Sequence, residues 1–326
     1  MSDGAPYLHR IIVPTPFPVG PVNLYLAEGE PLTLVDTGPR FEPAREALLA
    51  GLATLGYSLS DLRRIVLTHA HSDHCGLAAE CVAASGAELL THPANFVELA
   101  DYRAERNRRL LFYAGLMRES GMPLHVLARI NRTRRGYGQY AQPVEPNGPL
   151  EDGMSLSLGG EAWQVLHTPG HTGGVICLYQ PQRRLLLSSD HLLRDISSNP
   201  IVEPPATAGG ARPRRLVDYV AQLQRVAQLP VDLALPGHGP PIEDVAGLVS
   251  QRLVFHEERA HSLLEALGGR ERTAYRLSLA LFPRLDPANR FLAISEVIGH
   301  LEWLEMRGQV VSRLRGRTRL WRRTAA

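Results

Sequence analysis

The 326-residue sequence contains no lysine; all 35 of its basic residues are arginine. Without a side-chain primary amine the chain has no Schiff-base nucleophile, no anchor for pyridoxal phosphate and no P-loop lysine. Cysteine is scarce as well. Cys75, Cys81 and Cys177 lack metal-type spacing and cannot all pair, which points to a reducing compartment and makes the cytoplasm the expected location. No run approaches the roughly 20 consecutive apolar residues of a membrane span, so no membrane partner is expected. Residues 1–10 also lack the basic-then-apolar pattern of a signal peptide. The net charge of +2 favours no partner by global electrostatics.

What is present suits a soluble α/β protein. Short β-prone runs at 22–26 and 32–35 flank the turn Glu28-Gly29-Glu30, and the second stops at Asp36-Thr37-Gly38. Ala44, Leu48, Leu49 and Leu52 share one face of a predicted helix over 43–55. A buried strand over 64–67 follows, then a helix near 76–85 and a strand at 88–90. Alternation continues to about residue 240, with strands expected at 163–167, 175–179, 185–188 and 231–235, a rhythm typical of layered α/β architecture. Residues 95–146 interrupt it. They are rich in arginine, tyrosine and methionine and helical in pattern, and read as an inserted lid or dimer surface. Tyr102, Phe112, Tyr113, Tyr137 and Tyr140 are its candidate specificity residues.

After Pro240-Pro241 the pattern gives helices over 251–267, 273–282 and 290–307, the second capped by Thr273. Two β-prone runs at 309–311 and 318–321 then flank Arg315-Gly316-Arg317 as a hairpin. Together these form a winged-helix-like unit. The expected division is therefore a catalytic domain over 1–245 and a small C-terminal domain over 246–326.

The chemistry concentrates in Thr68-His69-Ala70-His71-Ser72-Asp73-His74-Cys75-Gly76, placed directly after the strand 64–67. Alternation lets His69 and His71 face one point, while Asp73 and His74 follow the turn and face a second. Three more potential ligands each follow an apolar strand: His171 in Thr168-Pro169-Gly170-His171, Asp190 after Leu185–Ser188, and His238 in Pro236-Gly237-His238-Gly239. Imidazole and carboxylate bind zinc at about 2.0–2.2 Å, so ligands must converge tightly from several segments. Repeated placement at strand ends serves that convergence and has no use in core packing. His9, His92, His125, His256, His261 and His300 stand outside the pattern and are expected to be ordinary surface or core histidines.

These motifs resemble the metallo-β-lactamase superfamily. The THAHSDHCG stretch, TPGHTGG at 168–174, SSD at 188–190, PGHG at 236–239 and Asp36-Thr37-Gly38 all stand in the family's order. The resemblance covers about residues 8–245 and implies a four-layer αββα sandwich with the site along one edge of two sheets. It also implies that His69, His71 and His171 bind one metal, that Asp73, His74 and His238 bind a second, and that Asp190 bridges them. Asp36 would support the ligand loop from behind. Two divalent cations about 3.5–4 Å apart would then activate a bridging hydroxide on an ester, thioester, lactone or phosphoester. Zinc is expected, with manganese or iron as alternatives. Asp73 or an unliganded neighbour would handle the proton, and His191 is the candidate to contact the substrate oxyanion or leaving group.

Departures narrow the class. Flavo-diiron proteins carry a glutamate where this chain has His71, and the zinc β-lactamases lack a counterpart of Asp190. Glyoxalase II shares the ligand set but not the three C-terminal helices and hairpin. The C-terminal unit resembles that of the lactamase-beta-like group, some of whose members are endoribonucleases. Arg307, Arg313, Arg315, Arg317, Arg319, Arg322 and Arg323 would suit a phosphate backbone. A small-molecule substrate remains the preferred partner, with RNA second, and a homodimer is the expected assembly. A complete ligand set argues against a purely DNA-binding module.

Overall fold

The computed structural model describes residues 5–207, 209–285 and 290–324; the side chains of 129 and 131–137 lie outside that set, and the candidate specificity residue Tyr137 with them. Six strands form the first sheet in chain order: β1 (Leu8–Val13), β2 (Val22–Ala27), β3 (Thr33–Val35), β4 (Arg64–Leu67), β5 (Glu88–Thr91) and β6 (Gly148–Pro149). The first three pair antiparallel and the last four parallel. The second sheet runs β11 (Leu233–Pro236), β10 (Leu185–Ser189), β9 (Ile176–Gln180), β8 (Glu161–His167), β7 (Ser155–Leu158). It is antiparallel except for the β10–β11 pair.

Strand periodicity sets the layers. Ile65 and Leu67 of β4 face an outer core shared with α1 (Glu42–Thr54), whereas Val66 between them faces the other sheet. On β10 the pattern repeats: Leu185 and Leu187 face the sheet interface, and Leu186 faces the opposite outer core. The interface is filled by Tyr25, Val35, Trp163, Val165 and Leu178 among others. After the short turn α2 (Ser72–Cys75), the helix α3 (Ala78–Ser85) joins α1 over the first sheet, and α7 (Arg215–Val226) lies over the second. This is the expected αββα sandwich. Both sheets are covered on two faces, which is why their strands read as near-continuous apolar runs.

The insertion is helical as expected: α4 (Phe96–Ala100), α5 (Tyr102–Glu119) and α6 (Leu124–Arg135). Beyond it, α8 (Val245–Leu267), α9 (Ala274–Leu281), α10 (Arg290–Met306) and the hairpin β12 (Val310–Arg315) with β13 (Thr318–Arg323) supply the predicted three helices and hairpin. Thr273 caps α9 by accepting a hydrogen bond from the Arg276 N–H at 3.2 Å. The helix α8 begins earlier than the apolar spacing indicates, because Asp244 accepts from the Gly247 N–H at 2.9 Å and starts it there. The apolar core runs unbroken across residue 246. Leu186 of the second sheet, Leu223 of α7, Leu263 of α8, Ile294 of α10 and Trp321 of β13 belong to one cluster, joined by Tyr113 and Met117 of the insertion.

Trp163 is fully buried at the sheet interface. Trp163→Ala removes that filling, and its unfolding free energy by urea denaturation is expected to fall by about 3–5 kcal/mol; a loss below about 1 kcal/mol would mean that the sheets close over the gap.

Candidate metal centre

The four ligand-bearing loops leave the ends of β4, β8, β10 and β11, and each is held by a neighbouring side chain. Asp36, just after β3, holds the first. Its Oδ1 accepts from the Thr68 N–H at 2.8 Å, and its Oδ2 accepts from the Thr68 hydroxyl and from His74 Nδ1, each at 2.8 Å. Asp36 adopts a positive φ of 60°, a region that costs a non-glycine residue about 1–3 kcal/mol, so the surrounding bonds impose it.

The second-loop clamp was not singled out in the sequence. His167, the last residue of β8, places Nε2 2.8 Å from the Gly173 carbonyl and stacks its ring on His92. Asn95 donates to the Gly174 carbonyl at 2.9 Å. The third loop contains a register break between Leu187 and Ser189, and the Ser189 hydroxyl donates to Thr68 Oγ1 at 2.8 Å. The fourth is held by Asn23 and Tyr25 of β2, which donate to the Pro236 carbonyl at 2.9 and 2.7 Å. Such clamps join segments far apart in the chain and have no sequence signature.

These clamps also orient the imidazoles. His238 Nδ1 donates to the Pro21 carbonyl at 2.7 Å and His74 Nδ1 to Asp36, so each ring turns its Nε2 inward as the nitrogen available to a metal ion. His69 Nδ1 lies 3.1 Å from the Thr68 hydroxyl, and His171 Nδ1 lies 3.0 Å from the Ser198 hydroxyl. His69 Nε2 and His171 Nε2 come within 3.1 and 2.9 Å of His71 Nδ1. A second group joins Asp73, His74 and His238, with Asp73 Oδ2 3.4 Å from His238 Nε2. Asp190 stands between the two: Oδ1 is 3.4 Å from His74 Nε2, and Oδ2 is 3.4 Å from His171 Nε2 and 3.8 Å from His238 Nε2. All seven expected ligands meet here.

This donor set fits metal ions on three counts. Burial lowers the pKa of His69, His71 and His171, with His71 at about 3, so all three offer lone pairs at neutral pH. Buried His74 Nε2, His238 Nε2 and Asp190 Oδ1 have no hydrogen-bond partner, an arrangement expensive to leave uncompensated. A side chain at Gly237 would sit 2.4 Å from Asp190 Oδ1, so glycine keeps that space clear. Burial also favours protonated Asp73, but His238, 3.4 Å away, and the other nearby imidazoles prevail and hold it at about 2. Burial likewise opposes charge on His74, yet Asp190 and Asp36 overcome it and raise that imidazole well above its usual range, the signature of a spot that attracts cations.

His191 is placed elsewhere. Its ring is completely buried, both ring nitrogens lack a side-chain hydrogen-bond partner, and it packs edge-on against Tyr219 with centroids 5.4 Å apart. The structure gives it a packing position behind Asp190 in place of the expected substrate contact. The candidate specificity aromatics also pack internally: Tyr113 meets Phe291 of α10, and Tyr140 meets Phe17 and Phe41. Tyr102 is buried. Phe112 lines a cavity against the C-terminal hairpin. The insertion nonetheless borders a space of about 850 Å³ beside Thr172 and Gly173, next in sequence to His171.

Residues 17–238 match the model of the metallo-beta-lactamase superfamily. The chain belongs to the metallo-β-lactamase superfamily. Over 308 residues it is 35% identical to the Bacillus subtilis (strain 168) protein named "Probable metallo-hydrolase YqjP", covering 94% of this chain and 95% of that one. A metallo-beta-lactamase family protein from Thermus thermophilus superposes with a TM-score of 0.84 at 32% identity, over 98% of this chain and 99% of that one. A beta-lactamase domain protein from Burkholderia ambifaria shares the fold at a TM-score of 0.81 and 24% identity, over 98% and 93%. Like its superfamily, the chain is a metallo-hydrolase with grouped His and Asp ligands. No helix among the described residues is long and apolar enough to cross a membrane.

Two outcomes are expected. Asp36→Ala frees both Thr68 and His74, and metal affinity measured by chelator competition should fall about 10–100-fold; unchanged affinity would remove Asp36 from any supporting role. The second concerns Glu98 at the insertion, whose pKa burial raises to about 7 despite the ion pair with Arg109 at 2.6 Å. Its unfolded value is lower, near 4.5, so the stability from protonated Glu98 is complete below that pH and lost as pH rises through 7. The stability of Glu98→Gln relative to the parent should therefore increase between pH 5 and pH 8 in urea denaturation. An offset equal at both values would disprove the coupling.

Proposed function

We propose that this chain is a hydrolase with two divalent metal ions, zinc in the first instance, acting on a small ester, thioester, lactone or phosphoester. The position of Asp190 carries the reading. One carboxylate with an oxygen toward His74 and another toward His171 serves two sites at once, and a single-metal centre has no use for that span. Five imidazoles and two carboxylates without a thiolate suit zinc, with manganese or iron as alternatives. Bound divalent cations supply a water activated near neutral pH and polarise the oxygen of the bond to be cleaved.

The chain's own groups do the rest. His69, His71 and His171 hold one position, and Asp73, His74 and His238 the other. Asp73 is the more exposed of the two carboxylates, 15% against 6% for Asp190, and, held ionised, it can accept a hydrogen bond from the proton of the attacking water. The space bounded by the insertion beside Thr172 receives the non-reacting part of the substrate. The arginine-rich hairpin gives less support to RNA cleavage than its composition does, because Arg313 pairs with Glu271, Arg319 with Glu119 and Arg307 with Glu257.

The test is metal analysis followed by a panel of aryl esters, thioesters, lactones and phosphodiesters. The expected result is two metal ions per chain, turnover abolished by chelation, and loss of metal in the His69→Ala/His171→Ala variant. Retention of both ions by that variant, or inactivity across the panel at full occupancy, would overturn the proposal.

A further inference from the structure

Tyr219, on α7, belongs to neither ligand group, yet it touches two of the four ligand loops. Its hydroxyl donates to the carbonyl of His191 at 3.1 Å, one residue beyond Asp190. Its backbone lies directly against Gly170, one residue before His171: a Cβ added to Gly170 would come within 2.5 Å of Tyr219 Cβ and 2.6 Å of its Cα. The two loops leave β8 and β10, which are not neighbours in the sheet, since β9 lies between them. Tyr219 thus spans that gap from the outer side. It is 1% exposed, and its ring packs edge-on against His191 on one side and His256 on the other.

The anchor is itself braced from the C-terminal helices. His300 Nδ1 lies 2.8 Å from the Glu296 carbonyl, which can only accept, so the proton is on Nδ1 and His300 Nε2 accepts from His256 Nδ1 at 3.2 Å. Both rings are almost completely buried, on α8 and α10. The line from α10 through His300, His256 and Tyr219 ends at the loops of His171 and Asp190.

We infer that Tyr219 is a positioning residue for the metal centre, fixing the separation between the His171 loop and the Asp190 loop, and that α8 and α10 serve the site by holding it. The inference rests on the two-metal reading above. A His171 Nε2 to Asp190 Oδ2 distance of 3.4 Å leaves little slack, and ligands displaced by a few tenths of an ångström bind metal measurably less well.

Tyr219→Phe keeps the ring and removes only the hydroxyl. Leu223→Ala, at a fully buried α7 position, is the control for general loosening of the helix. Zinc affinity is read by competition with a chromophoric chelator, and ligand geometry by the visible spectrum of the cobalt(II)-substituted protein. Tyr219→Phe is expected to lower zinc affinity about tenfold and alter the cobalt bands, while Leu223→Ala lowers the unfolding temperature and leaves both unchanged. Equal zinc affinity in Tyr219→Phe and the parent, or equal loss in both variants, overturns the inference. If Tyr219→Phe does not accumulate as folded protein, Gly170→Ala applies the same test from the opposite side, with unchanged zinc affinity as the refuting result. A parent protein that takes up fewer than two zinc ions refutes the two-metal reading itself, which these variants do not address.

Discussion

The Asp36 carboxylate is the constraint on which the rest of the centre depends. Three donors converge on two oxygens, the Thr68 N–H, the Thr68 hydroxyl and the His74 ring, and they belong to the two ends of the ligand loop. The loop is therefore closed around a fixed negative charge before any cation is considered. Neutral hydrogen bonds contribute about 0.5–1.5 kcal/mol each, and those to a charged group about twice as much, which is ample to offset the left-handed backbone at Asp36. Thr68 then passes the order on, since its hydroxyl also receives Ser189 from the loop that carries Asp190.

Seen from this point, the fold is a means of bringing strand ends to one edge. Parallel β3, β4 and β5 all finish on the same side of the first sheet, and β10 and β11 do so in the second. Sheet packing brings the two edges into register, and the loops inherit that alignment. Helices on the outside add rigidity more than chemistry. The insertion follows the same logic, with Arg109 of α5 tied to Glu98, Glu105 and Glu203.

Most of this organisation can be read from the chain because it depends on local pattern. Apolar runs locate most of the strands that carry the site, and the ligands announce themselves by residue type at strand ends. What could not be read has physical reasons. The strand β1 is half exposed, with Arg10 and Ile12 facing out, and its apolar signal is weak. The early start of α8 depends on a single cap at Asp244. His191 looked chemical because it follows Asp190, but neighbouring residues on an extended turn point to opposite sides, and here that side is the core. His167, Asn23, Tyr25, Asn95 and Tyr219 act through partners between 6 and 213 residues away, a distance over which no single-sequence pattern carries information.

The clamp on His238 has a consequence for the order of assembly. Asn23 and Tyr25, near the start of the chain, hold a loop 213 and 211 residues further on. During synthesis from the N-terminus, His69, His71, Asp73 and His74 emerge early, after a strand whose neighbour β3 has already been made. Until the second sheet has been made, these four residues lack the loops that bring His171, Asp190 and His238. Completion of the centre waits for this long-range contact, so folding of the catalytic edge and acquisition of a full ligand set fall late and close together.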